Sequence, residues 1–339
     1  MTAELKTALN ADPAASSSEP ATAAYNLVLK ANFYFDRNNR DDVSKAIGLY
    51  REAINLDSRY AMAWARLARA YFRQQDMGWR PAEPALAEAR AALKKALDLD
   101  PNLLIAYYIQ GQIHLLADWN WAAAVSDVER LHSLSESDAL YGPHLRADIE
   151  WAFAHFDDAA RNYRRVLEHD PLNSGVLNNL AVTLTDAGDL PSAVSAWREL
   201  LQVSPAFAFA HSGLGGALLL SGRLPEALEA AEQESDPTAR SSVLALVYWA
   251  MGRRAESEAE LKKLQASADQ NSFGIAEIYA LRSDKDAAFQ WLERAYRQRD
   301  ADLVQLKTDR FLLSLRGDPR YQALLAKMKL DRDPPGLSY

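Results

Sequence analysis

The chain has 339 residues, 49% hydrophobic and 25% charged, which is enough for a large buried core. Its formal net charge of -8 argues against a general binder of nucleic acid or anionic membrane, since both need a basic face. It has no Cys, so disulfides, thiolate catalysis and Cys-ligated zinc or iron–sulfur centres are excluded.

Residues 1–22 are rich in Ala, Ser, Pro and Thr and read as a flexible tether. They offer no apolar run for a signal peptide. No window approaches the length of apolar sequence that a membrane span needs, so a cytoplasmic protein without membrane contact is expected.

From residue 23 to residue 300 a two-helix unit recurs. In the second unit its landmarks are Trp64, Leu67, Ala68, Tyr71, Ala89, Leu93, Ala96 and Pro101. The fourth has Ala147, Ala159, Tyr163, Val166 and Pro171. The fifth, Leu172–Pro205, is the most regular, and the spacing predicts helices from Ser174 to Asp186 and from Pro191 to about Ser204. Gly188 stands ready for the left-handed residue past the first helix, and Pro191 for the first turn of the second. Pro171 and Pro205 lie 34 residues apart. Eight such units can be aligned, and two carry insertions, around Arg37–Arg40 and between Tyr71 and Ala89. Early arrival of Asp236-Pro237 shortens the second helix of the sixth unit.

Beyond Arg299-Asp300 the register is lost. The stretch PRYQALLAKMKL has one apolar stripe and reads as an end cap, with one face on the last repeat and the other in water. DRDPPGLSY reads as a frayed tail.

The six His residues have no metal-ligand spacing. Gly213-Leu214-Gly215-Gly216 lacks the Lys-Ser/Thr end of a phosphate loop, and Gly215 falls at a helix crossing. Asp41-Asp42 and Asp157-Asp158 sit at helix starts, where negative charge suits the helix dipole. No Ser/His/Asp set has supporting context, so neither enzymatic activity nor a cofactor is expected. Trp119 and Trp121, in the turn of the third unit, are expected to anchor that turn.

The period and the order of its landmarks resemble the tetratricopeptide repeat. That resemblance implies an all-α, right-handed solenoid of about eight helix-turn-helix units, spanning residues 23–300, with a cap and tail over residues 301–339. It also implies that the first helix of each unit lines the inner, partner-binding face. The residues it places there are Arg66, Arg69, Phe72 and Arg73; Tyr108 and Gln112; His144, Asp148 and Trp151; Asn178 and Asp186; and Trp249. Phe273 and Glu277 follow in the eighth unit. Arg66, Arg69 and Arg73 share one helix face and suit an acidic or phosphorylated segment. The expected function is a non-enzymatic scaffold binding a peptide or protein segment. Phrases such as ADWNWAAAVSDVERL also resemble the repeat regions attached to bacterial class III cyclases, winged-helix regulators and Ser/Thr kinases. A regulatory module lacking its effector is therefore an alternative, and self-association of stacked repeats is another.

Overall fold

The computed structural model describes residues 19–266 and 271–337. The tether expected over residues 1–22 lies outside these residues except for Glu19–Thr22, which form the first turn of a helix. Seventeen α-helices and no strand occur among the described residues. None of the helices is long and apolar enough to cross a membrane.

Sixteen of the helices form eight successive pairs. They are α1 (Glu19–Asp36) with α2 (Arg40–Leu56), α3 (Ala61–Asp76) with α4 (Ala82–Leu99), and α5 (Leu104–Gln112) with α6 (Trp121–Leu134). Next come α7 (Tyr141–Ala152) with α8 (Phe156–His169) and α9 (Ser174–Ala187) with α10 (Leu190–Val203). The last are α11 (Ala210–Leu220) with α12 (Leu224–Gln233), α13 (Pro237–Ala250) with α14 (Arg254–Ala266), and α15 (Ser272–Leu281) with α16 (Lys285–Gln298). The architecture is the expected all-α repeat. The chain divides into two compact units, Met1–Gln110 and Gly111–Tyr339.

The α9–α10 hairpin shows why these residues fold this way. Asn173 caps α9 by accepting the amide N–H of Val176 at 3.2 Å. Gly188 ends it at φ 85°, a conformation that costs glycine nothing. Asp189 then caps α10 and Pro191 fills its first turn. The facing residues Ala181 and Ala193 are fully buried, so the two backbones approach closely. Across to the next pair, Gly213 leaves room for the ring of Trp197; a Cβ there would lie 2.4 Å from it. Gly215, at the crossing expected of it, would place a Cβ 3.3 Å from the Ala227 carbonyl.

The second insertion is taken up mostly in the helices. Between Tyr71 and Ala89 the added residues lengthen α3 and α4, leaving a connection of residues 77–81. Trp79 in that connection is buried, and its carbonyl accepts from Arg40 Nη2 at 3.1 Å. In the third pair, α5 runs on into a π-helical turn, Ile113–Ala117.

The segment after α16 departs most from the sequence reading. It forms 3-10 turns at Ala301–Lys307 and Leu313–Leu315, then helix α17 (Pro319–Met328). Helix α17 does pack on the last pair: Arg320 meets Asp286 at 2.7 Å and Lys327 meets Glu293 at 3.0 Å, both on α16. The stretch before it, however, crosses the first helices of earlier pairs. Ser314 Oγ donates to the Ala280 carbonyl of α15 at 3.0 Å. The Phe311 ring lies 3.8 Å from the Cβ position of Gly216 on α11, and Arg310 Nη1 donates to the Asp186 carbonyl on α9 at 3.4 Å. The Lys307 ammonium lies 5.2 Å from the centre of the Phe153 ring, just past α7. The physical reason is apolar density. Leu303, Val304, Leu306, Leu312 and Leu315 are all buried, and burial at this scale contributes roughly 10 kcal/mol as an upper estimate. The tail is not frayed either: Pro334 and Leu337 are buried, and Asp333 pairs with His155 at 3.0 Å.

Candidate partner-binding surface

In the first unit, α3 carries Arg66, Arg69 and Arg73 at spacings of three and four, which set them on one face. All three are half-buried. The Arg69 guanidinium lies 4.9 Å from the centre of the Phe35 ring and 5.8 Å from that of Tyr108. Two aromatic faces therefore fix its position while its charge is retained. Its Nε is buried with no hydrogen-bond acceptor. Arg73 Nη1 pairs with Asp76 at 3.1 Å. Burial pushes the Asp76 carboxyl up, against the pull of Arg73. Beneath the row, the Tyr50 hydroxyl donates to Asn32 Oδ1 at 2.7 Å. Burial pushes this hydroxyl's pKa up, while the nearby Arg66 and Arg69 pull the other way. Phe72 and Tyr108 are almost wholly buried, so they support the row from below.

In the second unit the expected residues are mostly engaged. Gln112 is buried at the end of α5. Asp148 Oδ1 accepts from the Tyr163 hydroxyl at 2.7 Å and from Asn179 Nδ2 at 2.9 Å. His144 packs edge-on against Tyr163, with ring centres 5.8 Å apart, and its Nε2 lies 3.7 Å from Asp148. These two buried residues belong to a polar network inside the α7–α9 contact. Asn178 Nδ2 donates to Asn179 Oδ1 at 3.0 Å and is half-buried. Trp151 Nε1 donates to Asp186 Oδ2 at 2.7 Å. Trp249 lies under two guanidinium groups, Arg254 at 3.3 Å and Arg282 at 4.8 Å from the ring centre.

Asp186 shows what covers this face. Thr308 and Arg310 both act on its carboxyl and favour its charged form. Burial, then the charge of Asp309, pushes its pKa up to about 7. Burial, and then the charge of Asp309, pushes the pKa of Glu277 on α15 well above the usual carboxylate range. Thr308, Asp309, Arg310 and Phe311 were absent from the sequence-derived set. The only sequence signal for them is the apolar density of residues 303–315, in a stretch that keeps no repeat register.

The turn of the third pair behaves as an anchor. Trp121 is buried, meets Phe153 edge-on with centres 5.6 Å apart, and donates to the Met328 carbonyl. Trp119, at φ 53°, stacks on Tyr296 of α16 with ring centres 5.6 Å apart, and Arg299 lies 4.6 Å from its ring.

The sequence model of the tetratricopeptide repeat matches residues 144–197 and 183–240, a stretch that the structure folds as successive helix pairs. Residues 144–240 are tetratricopeptide repeats. Solved structures are similar to the chain at low identity. A human IFIT1 dimer with m7Gppp-AAAA is 13% identical and has a TM-score of 0.55, over 83% of this chain and 72% of that one. A tetratricopeptide repeat protein from Parabacteroides merdae is 14% identical with a TM-score of 0.47, over 79% and 99%. Pseudomonas aeruginosa pilF is 12% identical with a TM-score of 0.46, over 65% and 96%. These likenesses concern the fold alone. No curated protein matches the chain.

Proposed function

We propose that this protein is a scaffold that binds a protein segment rather than transforming a substrate, and that the arginine row of α3 in the first unit is its contact surface. The observation that carries the proposal is the difference between the two units. In the second, the first helices are overlaid by residues 303–316 of the same chain. In the first, α3 holds half-exposed arginines, one of them fixed between two rings. A guanidinium positioned this way loses little freedom when it meets a carboxylate, and Arg is prominent among the residues that dominate interface energies. The partner that fits is an acidic segment, whose carboxylates the arginine row would receive.

Titration of the full chain against an array of acidic and neutral peptides tests the proposal. Binding is expected to favour the acidic set, to weaken with salt, and to fall about tenfold or more on Arg69→Ala. Acidic peptides that bind the Arg69→Ala protein as tightly as the natural one would overturn it.

A further inference from the structure

The arginines of the first unit differ in what holds them. Arg37 pairs with Asp42 at 3.0 Å, Arg73 with Asp76 at 3.1 Å and Arg80 with Glu88 at 2.7 Å. Arg40 donates to the Trp79 carbonyl at 3.1 Å, and Arg51 to the Tyr71 hydroxyl at 2.8 Å. Arg69 is held in another way. Among the described residues no carboxylate pairs with it, and its Nε is buried without an acceptor. Its guanidinium lies over two rings instead, 4.9 Å from the centre of Phe35 on α1 and 5.8 Å from that of Tyr108 on α5. Those rings are 4% and 1% exposed, so the packing around them keeps either from swinging aside.

This geometry limits what Arg69 can engage. A ring face attracts the positive charge but supplies no oxygen for the N–H groups at the guanidinium edge. With Nε enclosed and the residue half-buried, the edge left for a ligand is the one formed by the two terminal nitrogens. Parallel N–H groups in one plane match the two oxygens of a carboxylate. A lysine in the same place would supply the charge without the fork. A phosphoryl group carries nearly two charges and is held best by a cluster of arginines. Here Arg73 already has a counter-ion in Asp76, so Arg69 offers one fork to one negative charge.

We propose that Arg69 determines the specificity of this surface by taking a single Asp or Glu side chain of the partner through its paired terminal N–H groups, with Phe35 and Tyr108 as its positioning residues. The inference rests on the reading of the α3 row as the partner surface and adds which group of the partner is read and by what. The two rings come from the helices before and after α3 in the stack of first helices. They fix the plane of the fork before the partner arrives, so little side-chain freedom is lost on binding.

Calorimetric titration of the full chain tests this with a Glu-rich peptide, its Gln counterpart and its phosphoserine counterpart. The natural chain is expected to bind the Glu peptide best. Arg69→Lys keeps the charge and is nevertheless expected to lose about tenfold, as much as Arg69→Ala. Tyr108→Leu is expected to lose binding several-fold, whereas Tyr108→Phe, which keeps the ring, binds as the natural chain does. In the Arg69→Lys background, Tyr108→Leu is expected to cost nothing more, because ring and guanidinium act as one unit; a merely structural loss would add in full. Phe35→Leu takes the place of Tyr108→Leu if that variant does not fold. A natural chain that ignores the Glu peptide strikes the partner surface itself, and this inference with it. Glu-peptide binding that Arg69→Lys leaves intact, or a phosphoserine peptide held more tightly than the Glu peptide, refutes the fork and leaves the surface standing. Additive losses from Arg69→Lys and Tyr108→Leu refute the positioning role of the rings.

Discussion

The indole N–H of Trp121 donates to the carbonyl of Met328, 2.6 Å away and 207 residues later in the chain. Both groups are buried. The bond joins α6 to α17, the helix that follows the last pair, and the Trp119–Tyr296 stack is a second link between the start and end of the second unit. The end of the chain therefore returns to the start of this unit.

Replacing Trp121 tests that return. Trp121→Phe keeps much of the ring contact with Phe153 but strands the Met328 carbonyl in the interior. The expected cost is about 1–3 kcal/mol, the usual penalty for a buried acceptor left without a donor. Denaturant unfolding of the full chain measures it, and no change within error would mean that the bond adds no stability.

Two glycines should respond oppositely to the same change. Gly213→Ala sets a Cβ 2.4 Å from the Trp197 ring and is expected to destabilise by about 1–3 kcal/mol through overpacking. At Gly48, inside α2, an added Cβ meets nothing within 4 Å. There Gly48→Ala is expected to stabilise by about 0.5–1 kcal/mol, because alanine loses less freedom in a helix. Thermal melts of the two variants check both signs.

Much of this was legible in the sequence because it is periodic. Ser174 begins α9, Gly188 takes the left-handed position and Pro191 the first turn of α10, as the spacing requires. The same periodicity put Asp148 and His144 on a first helix, but it could not show that Tyr163 and Asn179 would bury them in a network. The path of residues 303–316 was not legible. Docking over a distance leaves only apolar residues behind, and it leaves no period from which a register could be read. The arginine row was visible in the spacing of α3, but the rings of Phe35 and Tyr108 that fix Arg69 arrive from neighbouring pairs.

The titration of Asp186 makes stability depend on pH in a direction opposite to ordinary acid unfolding. Its pKa rises from an unfolded value of 3.8 to about 7 in the fold. A raised folded value means that its contribution is complete below about pH 4 and is lost as pH climbs through about 7. Asp186→Asn removes this dependence while keeping an oxygen for the Trp151 indole. Relative to the natural protein, the variant is expected to gain stability between pH 4 and pH 8, by an amount on the order of a few kcal/mol. Unfolding curves across that range would contradict this if the difference between the two proteins stayed constant or ran the other way.

The central claim is that residues 303–316 lie across the first helices of the second unit and leave the α3 row of the first unit as the partner surface. Because the chain has no Cys, a pair introduced as Gly216→Cys and Phe311→Cys would be its only thiols. Treatment of the full-length double variant with a short bismaleimide, followed by peptide mapping, should give an intramolecular link between these two positions in most molecules. A segment that only capped the last repeat would leave the two thiols far apart, and the absence of that link in a folded protein would contradict the account.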